Sequence, residues 1–119
     1  MTGDIQKIKG FTRALVKHEV PPDDEEQKVI ERVGDTHNTS ALPVLRRALS
    51  AAIEYQFWSE TLSKSVDPNM LGSASIWIAG ALASRMIPRL RFAIEKCTPE
   101  DQPVVYEPIK RNTWWLFWK

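Results

Sequence analysis

His18 and His37 are the chain's only imidazoles, and Cys97 is its only thiol. A metal centre needs three or four nitrogen, sulfur or carboxylate donors brought together, and no cysteine pair or histidine-glutamate motif announces such a set. A glycine-rich phosphate loop is also missing from the sequence. The run Asp23-Asp24-Glu25-Glu26 has the carboxylates to attract a cation, yet acidic residues directly after Pro22 are what the positive end of a helix favours. Cys97 has no base near it in sequence and reads as a small core residue rather than a nucleophile. These residue types predict a chain that is not an enzyme, with no catalytic residue, no metal and no cofactor.

Residues suited to binding are more conspicuous. Three of the five tryptophans fall in Trp114-Trp115-Leu116-Phe117-Trp118-Lys119. Each large side chain left in water forgoes on the order of 1.5–3 kcal/mol that burial would supply, so this segment is expected to be covered by something. One reading folds it back over the chain's own helices; the other docks Trp114, Trp115, Phe117 and Trp118 into a partner's groove or a membrane interface, where tryptophan and lysine are favoured.

A second feature is the uncharged run 68–84, rich in Gly72, Ala79, Gly80 and Ala83. Small residues let helices approach closely, and a buried packing helix is the expectation here, with a membrane span as the competing reading. Arg85, Arg89 and Arg91, with Arg111 in the aromatic segment, are the residues of an alternative basic face beside stacking rings, a combination that binds single-stranded nucleic acid.

Charge restrains that alternative. Sixteen Lys or Arg against fifteen Asp or Glu leave a formal net charge of +1, a poor match for a protein that neutralises many phosphates. A lone cysteine cannot form a bridge within the chain, and no apolar signal-peptide core follows Met1, so secretion is not expected and Asn38-Thr39-Ser40 reads as a loop rather than a glycosylation site. The predicted location is intracellular, cytoplasmic or organellar. The mitochondrial inner membrane is one such address, suggested by the basic amphipathic start and the Trp-rich end.

The elements that must position these residues can be read from periodicity. Ile5, Ile8, Phe11 and Leu15 form the apolar stripe of a first helix that Pro21 and Pro22 should stop. Asp23 and Glu26 form a capping box for a second helix carrying Val29, Ile30 and Val33, with Gly34 as a left-handed stop. Ser40 is the expected cap of a third helix running to about Val66. That helix has a wide apolar sector (Leu45, Leu49, Ala52, Ile53 and Phe57 beside Ala48, Ala51, Tyr55 and Trp58) and a solvated strip that includes Arg46 and Arg47. Asp67-Pro68 should open a fourth helix whose ladder Ile78, Leu82, Met86, Leu90, Ala93, Ile94 and Cys97 keeps phase across Pro88, which favours a kink there while leaving a break as the open alternative. Beyond Thr98-Pro99, Val104-Val105-Tyr106 has the composition of a short strand.

The expectation is therefore an all-α protein, a small bundle of about four helices. Helices three and four form a long hairpin, with a helical domain over 1–98 and an extended C-terminal arm over 99–119. Its expected work is that of a non-catalytic accessory subunit in a larger assembly, membrane-associated or not, with protein partners ahead of nucleic acid.

Overall fold

The computed structural model describes residues 2–65 and 73–107. Helix α1 (Thr2–Val16) buries Ile8 and Leu15 and lays Ile5 and Phe11 partly against the core. It ends well before the prolines. His18 takes a left-handed φ of 59°, while Glu19 N–H donates to Ala14 O at 2.8 Å and His18 N–H to Leu15 O at 3.1 Å. This is the Schellman closure, and it satisfies carbonyls the helix end would otherwise leave open. Pro21 and Pro22 are buried and lead into the next helix instead of terminating the first.

Helix α2 (Asp24–Asp35) starts on the expected capping box: Asp23 Oδ1 accepts from Glu26 N at 2.8 Å, and the Glu26 carboxylate reaches back to Asp23 N. Its end corrects the expected role of Gly34. The helix continues one residue past Gly34, and the left-handed residue is His37, with φ 52°. Gly34 serves packing: a β-carbon there would stand 3.0 Å from the Ala93 α-carbon, so its absence sets how closely α2 can lie on the fourth helix.

Asn38, not Ser40, caps the next helical segment. Its side-chain oxygen accepts from Ser40 N at 3.0 Å and Ser40 Oγ at 2.7 Å, and the short 3-10 turn Thr39–Ala41 feeds directly into α3 (Leu42–Ser65). Asparagine sits one 3-10 turn ahead of the helix proper, so it meets the first free N–H groups before serine can. Helix α4 (Ser73–Cys97) passes through Pro88 without interruption; the start expected at Asp67-Pro68 lies outside the described residues.

The four helices make the expected all-α bundle. α3 packs against α1 on one side and α4 on the other; α2 closes the arrangement by packing against both α4 and α1. α3 and α4 form the predicted hairpin: Ser59 near the end of α3 meets Gly80 near the start of α4. Leu45, Leu49 and Ala52 of α3 and Met86, Leu90 and Ile94 of α4 are almost wholly buried beside Ile8, Leu15, Ile30 and Val33. The expected α4 ladder holds from Met86 onward, but Ile78 lies on the solvent side; Ile53 and Phe57 of α3 likewise fall outside the core.

One buried amide ties the proline turn to α4. Gln27, without measurable exposure, donates from Nε2 to Pro22 O at 2.9 Å and to Leu82 O at 3.0 Å. Without these bonds its burial would cost about 1–3 kcal/mol.

The first part of the arm, 99–107, opens on a turn in which Gln102 N–H donates to Pro99 O at 3.0 Å, and 103–106 then forms no strand. The Val105 carbonyl is taken by a side chain, Arg46 Nε at 2.8 Å, rather than by a neighbouring strand. Tyr106 packs partly against the core and its hydroxyl donates to the Glu95 carboxylate. Arg46, expected on the solvated strip of α3, is consequently buried beneath the arm.

Candidate interaction surface

The small residues of α4 line its meeting with α3. Ala79 and Ala83 are buried, and a β-carbon on Gly80 would stand 2.7 Å from Ser59 Oγ. Ser59 is itself buried, its hydroxyl turned onto Gln56 O at 2.9 Å. Above this close approach lies an open hollow of about 230 Å³ whose walls include Gln56 and Glu60 of α3 and Trp77, Ala81 and Ser84 of α4. Trp77 remains 66% exposed at its edge, Ile78 62%, and Phe57 of α3 72%. Gly72, expected to extend the packing stripe, lies outside the described residues.

The arginines expected as an alternative nucleic-acid face are partly committed to α2. Arg85 Nη1 stands 2.6 Å from Asp24 Oδ2. Arg89 lies 3.6 Å from Asp24 and 3.8 Å from Glu31, and also donates to Asp24 O at 3.2 Å. Lys96 pairs with Asp35 at 2.6 Å while lying over the Phe92 ring at 4.6 Å from its centre. Its hydrogen bond holds the Asp35 carboxyl below its ordinary value. Arg91 is exposed, and Arg111 lies outside the described residues. Arg85, Arg89 and Lys96 of α4 thus each lie against a carboxylate of α2.

The acidic run has the same character. Asp23 and Glu26 form the cap, Asp24 holds two arginines, and Glu25 pairs with Lys28 at 3.0 Å. Among the described residues no cluster of three or more His, Cys, Asp or Glu stands ready for a metal. Cys97 is buried with its thiol toward Val33 O at 3.6 Å, and burial pushes that thiol up. His37 Nδ1 lies 2.8 Å from Lys96 O.

His18 belongs to an aromatic group that periodicity did not reveal. Its ring stacks on Trp58 with centres 4.0 Å apart, and Tyr55 meets both rings edge-on. The signal was present as a histidine two residues beyond a helix end, a position where left-handed backbone turns a side chain back across the bundle.

Trp114, Trp115, Phe117 and Trp118 lie outside the described residues; the chain reaches them from Glu107, next to the Tyr106–Glu95 contact. Among the described residues no helix is long and apolar enough to cross a membrane. No protein-family model, curated protein or solved structure matches this chain.

Proposed function

We propose that this chain is a non-catalytic accessory or adaptor subunit of a larger intracellular assembly, and that it docks through Trp114, Trp115, Phe117 and Trp118. The observation that carries the reading is apolar exposure on α3 and α4: Phe57, Trp77 and Ile78 each face solvent, and Trp77 lines the open hollow. Single exposed apolar residues are ordinary, but large aromatic side chains near an open hollow, in a chain with a further aromatic cluster, are the composition of contact surfaces. Histidines held in stacking and backbone contacts, and carboxylates held by caps and ion pairs, are consistent with a structural rather than a chemical use of these groups.

An organellar membrane such as the mitochondrial inner membrane is an address within the same proposal. It is suggested by the basic residues Lys7, Lys9 and Arg13 along α1 and Lys17 just beyond it, together with the Trp-rich segment. Contact there would be with the membrane interface through aromatic side chains.

Deleting residues 113–119 tests the proposal. In extracts of the source cells the full chain should co-fractionate with a large complex, while the truncated chain should elute at its own mass with unchanged helical circular dichroism. A truncated chain that still enters the complex would defeat docking through this segment.

A further inference from the structure

Arg46 is a buried cation whose charge the bundle leaves unanswered. The residue is 8% exposed, and its Nε donates to the Val105 carbonyl at 2.8 Å. Holding one carbonyl takes one N–H, whereas a guanidinium brings five together with a full positive charge. Among the described residues no carboxylate pairs with it: the cations of α4 go to Asp24, Glu31 and Asp35, and the other pairs join Lys28 to Glu25 and Arg32 to Asp4. Neither Nη nitrogen is sealed from solvent, since Gln27 Oε1 is the one side-chain atom among the described residues that is both buried and without a partner. Buried cations are ordinarily paired, because desolvating a lone charge is costly. Arg46 thus keeps the Nη edge of its fork accessible while its Nε is fixed by the arm.

The geometry of the hairpin puts a second arginine at the same height. Ser59 meets Gly80 across the antiparallel pair of helices. Arg46 lies about 20 Å along α3 from Ser59, and the same rise along α4 from Gly80 reaches Ala93, with Arg91 and Glu95 about 3 Å to either side of that level. Arg91 and Glu95 are one turn apart and share a face of α4. Both act on the arm residue next to Val105. The Tyr106 hydroxyl donates to Glu95, a bond that pushes the phenol up, and the charge of Arg91 reaches the same hydroxyl and opposes that push. Arg91 is exposed and, like Arg46, pairs with no carboxylate among the described residues. Arg46, Arg91 and Glu95 therefore gather around Val105 and Tyr106 with positive charge in excess.

We propose that this junction of α3, α4 and the arm is a carboxylate-binding site, in which the Nη edge of Arg46 takes the two oxygens of an acidic side chain from another polypeptide and Arg91 supplies the second charge. A planar guanidinium matches a carboxylate through two parallel N–H···O bonds, and a single carboxylate balances the excess charge. Val105 O holds Nε, so the fork is oriented before the ligand arrives. The site uses none of the Trp-rich residues and stands whether or not that segment docks.

The test reads the Arg46 Nε–H resonance in the isotope-labelled full chain, assigned by its loss in Arg46→Lys or, where that variant folds poorly, by its nuclear Overhauser contact with Val105. Glutamate blocked at both ends is the probe, titrated at constant ionic strength against blocked glutamine, which has the same length and no charge. The resonance should move along a saturating curve with blocked glutamate and stay in place with blocked glutamine. Arg91→Gln should weaken binding about two- to fivefold, the range of a partly exposed charge pair, and Glu95→Gln, which removes the competing carboxylate, should strengthen it by a similar factor. A merely structural Arg46, bonded to Val105 O alone, gives no saturation, and that result overturns the proposal. Saturation by inorganic phosphate but not by blocked glutamate overturns the carboxylate in favour of a phosphate. Binding indifferent to both Arg91→Gln and Glu95→Gln removes those two residues from the site and overturns it as well.

Discussion

Helix α4 meets a neighbour on each side through a glycine, yet the two interfaces end differently. Toward α2, Gly34 admits the Ala93 backbone, and the edge is bridged by Arg85, Arg89 and Lys96 with Asp24, Glu31 and Asp35. Toward α3, Gly80 admits Ser59, and the edge is an open hollow with Trp77 exposed beside it. Close approach is common to both, and each edge carries an open hollow, about 550 Å³ beside Gly34 and about 230 Å³ over Gly80. What differs is the rim: ion pairs bridge the α2 edge around its hollow, and among the described residues no ion pair bridges the α3 edge.

The largest expected effect tests whether the two glycines are equivalent. At Gly34 a new β-carbon meets backbone, Ala93 Cα at 3.0 Å, which moves only if a helix moves. Overpacking of that kind costs about 1–3 kcal/mol, and the better helix propensity of alanine returns only about 1. Gly34→Ala should lower the urea midpoint, and Gly34→Leu should lower it further. At Gly80 the obstacle is a serine hydroxyl, so Gly80→Ala should be nearly neutral, and in a Ser59→Ala background it should be stabilising by up to about 1 kcal/mol. Equal losses at the two glycines would break the comparison.

How much of this is legible in the sequence depends on whether a residue's partner is local. The capping box at Asp23 and Glu26, the α1 stripe and the α4 ladder from Met86 to Cys97 are set by neighbours three or four residues away, and the spacing displays them. Gly34 is misread because a glycine at a helix end and a glycine at a helix crossing look identical without the crossing partner. Arg46 is misplaced for the same reason: its periodicity assigns it to the solvated strip, and only the returning arm, 59 residues on, covers it. Ile53, Phe57 and Ile78 are apolar at core-like spacing yet face outward, because one helix face can carry more apolar residues than its neighbours cover. Of the candidate site residues, Ala79, Gly80 and Ala83 lie where α3 and α4 meet; Trp114, Trp115, Phe117 and Trp118 have no local periodicity, and their placement lies outside the described residues.

The charged rim of the α2 side should matter less than its glycine. Asp24 holds both Arg85 and Arg89, but its side chain is half exposed, and pairs of that kind contribute about 0.2–1 kcal/mol. Asp24→Asn should therefore cost a fraction of what Gly34→Leu costs, and most of that loss should vanish in 1 M salt, where charges are screened beyond about 3 Å. Glu60→Gln on the α3 side provides the contrast, with little loss at either ionic strength. A salt-independent loss at Asp24 would mean that its role is its place in the first turn of α2 rather than its two arginines.

The smallest effect concerns the arm held on α3 and α4 by Arg46 and Glu95, and its sign depends on where the proton sits. Tyr106 donates to the Glu95 carboxylate, and holding that proton beside a negative charge pushes the phenol above its ordinary value of 10. An unfolded or detached arm gives up the proton near 10, so the contact's contribution is complete below that pH and is lost as pH rises through the higher folded value. The Asp35–Lys96 contact runs the other way: its carboxyl is depressed below 3.8, so its contribution is complete above that value and is lost as pH falls through the lower folded one. With only two tyrosines in the chain, an ultraviolet titration of Tyr55→Phe reports Tyr106 alone. Its midpoint should lie above 10 and fall toward 10 in Glu95→Gln. A midpoint unmoved by that substitution would detach the arm's tyrosine from α4 and remove one of the two contacts that hold the arm to the bundle.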